Sequence, residues 1–123
     1  MTTITVPWPP ALNRYYRHWN GRTLISREGR RYRKIIQQQA IMEAWPRLGR
    51  SRLRLAIIAN PPDRRRRDLD GLFKCLLDSL ERARLFDDDG QIDDLHILRG
   101  PVTTPGCCTI HIEEITNDRV APL

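Results

Sequence analysis

Lysine is nearly missing from this chain: of 21 basic residues, only Lys34 and Lys74 are lysines and the rest are arginines. Cysteine is sparse as well. Cys75, Cys107 and Cys108 form an odd set, two of them adjacent, with no Cys-x-x-Cys pair. That excludes a disulfide framework and a Cys-based structural zinc site, and it predicts buried or half-buried thiols in a reducing cytoplasm. No apolar run approaches the roughly 20 residues of a membrane-spanning helix. Residues 1–10 lack the charged-then-apolar pattern of a secretory signal. Gly71, Gly90, Gly100 and Gly106 are isolated, so no phosphate loop or dinucleotide fingerprint is present. His18, His96 and His111 are dispersed. With no internal repeat, the 123 residues read as one domain, 1–123.

What is present is guanidinium, the planar group that grips phosphate bidentately, and its distribution is uneven. Between Arg14 and Arg67 there are 16 basic and 3 acidic residues, a net +13, whereas from Asp68 to Asp118 there are 4 basic and 12 acidic, a net −8. The overall +6 hides this division. A simple nucleic-acid coat has no use for the acidic half; an enzyme that holds metal ions against phosphates uses both.

Residues 2–6 predict a strand, ended by Pro7, Pro9 and Pro10. Residues 13–21 read as a polar, aromatic-rich loop and 23–25 as a short extended piece. Ser26 is expected to cap a helix running to about Ala44, with Ile35, Ile36, Ala40 and Ile41 at helical spacing and Pro46 beyond its end. Residues 52–60 alternate as a strand with Leu53, Leu55, Ile57 and Ala59 on one face. After a loop opened by Pro61 and Pro62, a second helix from about Asp70 to Arg84 carries the stripe Leu69, Leu72, Phe73, Leu76, Leu77 and Leu80. An acidic turn over 86–91 and strands over 92–99 and 107–115 complete an α/β fold: a small single domain, a mixed sheet packed with two main helices. So small a core favours self-association.

The candidate chemistry lies where the charge reverses. Asp68 and Asp70 flank the start of the second helix, and in an extended approach both can face one site. Lys74 shares a helical face with Asp70. Asp87, Asp88 and Asp89 follow that helix and reach the first pair only if the strand from Ile92 folds the chain back. Carboxylates without His or Cys suit a hard cation such as Mg²⁺. Bland roles stand beside these. An Asp at a helix start is commonly a cap, Asp87 to Asp89 a solvated turn, Lys74 part of a solvent stripe, and Arg64 to Arg67 a generic polyanion loop. Tyr15, Tyr16 and Trp19, interleaved with Arg14, Arg17 and Arg22, either stack on unpaired bases or pack beneath their own loop.

Taken together, these stretches resemble the RusA-type Holliday junction resolvases. The resemblance rests on Pro7-Trp-Pro-Pro10, Asn13-Arg-Tyr-Tyr-Arg-His18, Gly21-Arg-Thr23 with Ser26, the run Asp63-Arg-Arg-Arg-Arg-Asp-Leu-Asp70, Lys74, Asp78, Leu80, and Asp88-Asp89 with Gln91 and Asp93 or Asp94. It implies a homodimeric crossover junction endodeoxyribonuclease that hydrolyses phosphodiesters at four-way DNA junctions. Mg²⁺ would be its cofactor, with Mn²⁺ a substitute, in a bacterial or prophage setting. It implies metal-binding catalytic aspartates at Asp68, Asp70 and Asp89, with Asp88 the second choice for the last, and a functional lysine at Lys74. It also implies DNA contacts from Arg14, Arg17, Arg22, Arg64, Arg65, Arg66, Arg67, Tyr15 and Tyr16. Two positions depart from the pattern: Gly71 where Asn is common, and Arg84 where Gly is common. The alternative reading is a non-catalytic basic module that binds nucleic acid.

Overall fold

The structure is a computed structural model, and it describes residues 1–115; the end of the expected 1–123 domain, including Asp118 and Arg119, lies outside the described residues. The element order is β1 (Thr2–Pro7), α1 (Leu12–Tyr15), β2 (Tyr16–Trp19), β3 (Arg22–Ile25), α2 (Arg27–Met42), β4 (Arg52–Asn60), α3 (Asp70–Arg82), a 3-10 turn (Asp89–Gln91), β5 (Ile92–Arg99) and β6 (Cys107–Ile115). β1, β6, β4 and β5 form one sheet in that order, with β4–β5 parallel and the other pairs antiparallel. The expected α/β fold with a mixed sheet and two main helices is the observed one.

Alternation puts Leu53, Leu55, Ile57 and Ala59 of β4 on the buried face, beside Cys108, Ile110 and Ile112 of β6 and Ile4 and Val6 of β1. Tyr32 and Ile36 of α2 and Leu72, Cys75, Leu76 and Leu80 of α3 complete the same core. Burial pushes the thiols of Cys75 and Cys108 up to about 12, so both are inert packing groups.

Residues 13–21 are more ordered than a loop. They form the single turn α1 and a β2–β3 hairpin closed by Asn20-Gly21, both at positive φ (49° and 71°). That is the two-residue turn such a dipeptide favours between short strands. Ser26 clamps the base of the hairpin. Its N–H donates to the Tyr15 carbonyl (2.9 Å), its hydroxyl donates to the Arg14 carbonyl (2.5 Å), and its Oγ accepts the Gly29 N–H (2.9 Å) as the helix cap. Only glycine fits at position 29, because a Cβ there would lie 2.7 Å from the Tyr15 carbonyl oxygen.

Tyr15, expected among the DNA contacts, is buried in this structure. Its hydroxyl donates to Asp78 of α3 and accepts from Arg33 Nε of α2 (2.7 Å), while Arg33 Nη2 reaches Asp78 at 2.5 Å. The guanidinium also lies 5.4 Å from the Tyr15 ring centre. Burial opposes ionisation of Asp78, but the hydrogen bonds from Tyr15 and Arg33 outweigh it and hold the carboxyl below its ordinary range. One polar knot thus ties α1, α2 and α3 together.

Both long helices end in the same way. At the end of α2, Trp45 N–H donates to the Ala40 carbonyl (3.0 Å) and Ala44 N–H to that of Ile41 (3.2 Å), with Ala44 at φ 51°. At the end of α3, Leu85 N–H donates to the Leu80 carbonyl (3.2 Å) and Arg84 N–H to that of Glu81 (2.9 Å), with Arg84 at φ 64°. Each is a Schellman cap with a non-glycine residue in the left-handed position. Arg84→Gly should therefore stabilise the protein by about 1 kcal/mol, read as a higher urea midpoint at unchanged slope. The knot behaves in the opposite way. A depressed Asp78 pKa contributes stability that is present above about pH 4 and is lost as pH falls through the folded value. Asp78→Asn should cost about 2–3 kcal/mol at neutral pH and flatten the acid limb of a stability-versus-pH curve.

Candidate active site and nucleic-acid cleft

Parallel pairing of β4 with β5 decides where each candidate residue lies. After β4 the chain turns through the arginine loop and returns along α3. Leu53 near the start of β4 pairs with Ile92 at the start of β5, and Ala59 pairs with Arg99 at its end. Asp68 and Asp70 therefore lie at one end of α3, both exposed, and the acidic turn lies at the other. Glu81, eleven residues after Asp70, accepts the Asp89 N–H at 3.0 Å, which puts the acidic turn roughly 16 Å along the helix axis from Asp70. What returns to the arginine loop is the far end of β5: Arg99 donates to the Arg67 carbonyl at 2.8 Å. The expected fold-back of Asp89 onto Asp68 and Asp70 does not occur within one chain.

At the acidic turn, Glu81, Asp88 and Asp89 each offer a carboxylate oxygen, all within 4.8 Å of one another. The donor set is all oxygen, so it fits a hard cation and not zinc. Glu81 carries no such signal in the sequence, where it reads only as part of a solvent-facing stripe. Gln91 organises this turn from inside. Its Oε1 accepts the N–H groups of Asp87 (3.1 Å) and Asp88 (2.9 Å), and its Nε2 donates to the carbonyls of Gly49 (2.8 Å) and Ser51 (2.6 Å). The buried amide thereby uses both ends to pin the aspartates to the α2–β4 connection.

At the opposite end of α3 an open cleft of about 1200 Å³ runs between the hairpin, the start of α2 and the arginine loop. Arg14, Tyr16, His18 and Arg31 line one side, and Arg65, Arg66, Arg67, Asp68 and Gly71 the other. Gly71 leaves open space, since a Cβ there would meet nothing within 4 Å. Tyr16 is half-buried at the wall, packed edge-on against Tyr15 at 4.9 Å between ring centres. Arg67 is held rather than free: Nη1 donates to Asp63 at 2.6 Å and the guanidinium lies over the Trp8 ring at 5.8 Å. The Arg67 hydrogen bond and the Arg65 N–H lower the Asp63 carboxyl to about 2. Asp70 and Lys74 are exposed just beyond the cleft, one helical turn apart.

The arginines of the sheet and those of the cleft differ in pairing. On the sheet, Arg52 pairs with Asp93, and Arg54 with Asp94 and Glu113. Around the cleft and hairpin, Arg14, Arg17, Arg22, Arg64 and Arg66 make no ion pair among the described residues. These five unpaired guanidiniums give the cleft and hairpin a positive field that suits a polyanion. Gln91→Leu should cost about 3 kcal/mol in urea unfolding, because buried backbone groups lose their partners.

Comparison with known proteins bears on this arrangement. Residues 7–113 match the family model described as Endodeoxyribonuclease RusA. A crossover junction endodeoxyribonuclease RusA of Shigella sonnei is 43% identical over 117 residues, covering 94% of this chain and 97% of the relative. The Escherichia coli protein of that name is 42% identical over 117 residues with the same coverage. The protein of Enterobacteria phage HK97 is 43% identical over 112 residues, 91% of this chain and 93% of its own. The match takes in the hairpin, the arginine loop, both acidic groups and the sheet that joins them, and the chain belongs to the RusA endodeoxyribonuclease family.

Proposed function

We propose that this protein resolves four-way DNA junctions by Mg²⁺-dependent phosphodiester hydrolysis, acting as a homodimer whose two sites are each built from both subunits. The observation that carries the reading is the separation of the two acidic groups along α3. Asp68 and Asp70 border an arginine-lined cleft that fits a phosphate backbone. Asp88 and Asp89 lie roughly 16 Å away along the helix, at the turn lined by Glu81, Arg82, Arg84 and Asp87 and outside the residues that line the cleft. A second copy related by a two-fold axis supplies what each end lacks, and a two-fold enzyme suits a two-fold junction.

The free edge of β5 suits such a copy. Among the described residues β5 pairs only with β4, and it carries Leu95 and Leu98 partly in solvent (37% and 61% exposed). Antiparallel pairing of β5 with its copy would bring the Asp89 end of one strand beside the Arg99 end of the other. Arg99 holds the loop that leads into Asp68.

In this site Asp68, Asp70 and the partner subunit's Asp89 would hold the cation, with Asp88 as the neighbouring carboxylate. A bound Mg²⁺ supplies Lewis acidity, stabilises the leaving oxygen and makes water more acidic. Arg14, Arg65 and Arg66 seat the phosphates, with Arg17, Arg22 and Arg64 free at the margins. Lys74, on the Asp70 face of α3, stabilises negative charge developing on the scissile phosphate. The protein acts in a bacterial cytoplasm, in keeping with phage relatives and with the lack, among the described residues, of a helix long and apolar enough to cross a membrane.

Subunit mixing tests both the activity and the shared site. Asp70→Asn and Asp89→Asn should each abolish nicking of a synthetic four-way junction in Mg²⁺. Co-refolded together, they should regain nicking in the mixed dimer, which holds one intact shared site. Retained nicking by either variant alone refutes the assignment of that residue. Lack of recovery in demonstrated mixed dimers refutes the shared site. A wild-type protein that binds junctions without cutting them would be the non-catalytic module instead.

A further inference from the structure

Trp19 has no task in the fold. The other two tryptophans, Trp8 and Trp45, pack against the core, but Trp19 is 61% exposed at the tip of the β2–β3 hairpin. Leaving a large aromatic in water forgoes the stabilisation its burial would give. The hairpin that carries it is nonetheless rigidly built. Trp19 pairs with Arg22 directly across the Asn20-Gly21 turn, Ser26 clamps the base, and Tyr15 anchors the root in the Arg33–Asp78 knot.

The two faces of the hairpin differ. Tyr16 and His18 line the cleft, whereas Arg17 and Trp19 alternate onto the opposite face. Trp19 therefore stands at the rim of the phosphate-binding cleft and points away from it. Arg17 and Arg22, both exposed, flank it, and there is no acidic residue between Arg14 and Arg27. An aromatic face flanked by guanidiniums and carried on a stiff arm has the chemistry of a base-stacking platform or wedge. Intact duplex offers it no free base face. A branch point does, because the terminal base pairs of adjoining arms are open on one side.

We propose that Trp19 stacks on an unpaired or terminal base at the branch point, while the neighbouring cleft holds the backbone of one arm. Trp19 would then determine preference for branched DNA over duplex. The inference rests on the junction-resolving activity proposed above, and its test separates the two. Trp19→Ala, Trp19→Phe and wild type are titrated, without divalent cation, against a four-way junction and a duplex of one arm's sequence. A second junction carries 5-iodouracil beside the branch point for photocrosslinking, and a third carries it in mid-arm.

Trp19→Ala should lose junction affinity about tenfold, with duplex affinity unchanged. Trp19→Phe should recover most of that loss. The branch-point label, and not the mid-arm label, should crosslink to Trp19. Equal junction affinity for Trp19→Ala and wild type, or a crosslink only at mid-arm, overturns the inference and leaves the nuclease reading standing. A parallel loss of dimer mass in light scattering assigns Trp19 to a subunit contact and overturns it too. Wild-type protein with no preference for the junction overturns both.

Discussion

Parallel pairing of β4 with β5 is the constraint on which the site depends. Two adjacent parallel strands need a crossover, and here the crossover is α3. The helix must therefore run back along the sheet, with its first residues near the strand ends and its last near the strand starts. The charge reversal sits at the first end, where the arginine loop meets Asp68, and the acidic turn sits at the second. No side-chain rearrangement can bridge a helix of thirteen residues. Separation of the two acidic groups is thus a property of the topology and not of any one residue.

The second support is the polar knot of Tyr15, Arg33 and Asp78. It is buried enough to be costly if incomplete, and it is complete: the tyrosine hydroxyl both donates and accepts, and the carboxylate meets both partners. It also fixes the hairpin relative to α3, because Tyr15 immediately precedes β2 and Asp78 belongs to α3. An apolar core alone would hold the helices together without the directional hydrogen bonds that tie Tyr15 to Asp78.

Much of this was legible in the sequence, and the exceptions share a cause. The strands, the Ser26 cap and both helices follow from local pattern, with α2 ending at Met42 rather than near Ala44 because Ala44 adopts a left-handed cap (φ 51°). The hairpin was legible too: Asn20-Gly21 between two short extended runs is its signal, masked by the density of arginines. Tyr15 and Tyr16 cannot be told apart by neighbourhood, since burial of Tyr15 depends on Arg33 and Asp78, 18 and 63 residues away. The position of Asp89 relative to Asp68 depends on which strands pair and in which direction, which composition and spacing do not encode. Glu81 likewise becomes part of the acidic group only through the turn that Gln91 folds beside it.

The net charge of +6 acquires its meaning from pairing rather than from number. Arginines on the sheet are neutralised by carboxylates on adjacent strands, so they add little to the field that a distant polyanion feels. Arg14, Arg17 and Arg22 of the hairpin region and Arg64 and Arg66 of the loop make no ion pair among the described residues, and the acidic turn is held at the far end of α3. On the shared-site reading proposed above, separating them within the subunit and reuniting them when DNA and a second copy are present would keep both halves available. The same separation puts the arginine-lined cleft at one end of a helix and a cluster of carboxylates at the other.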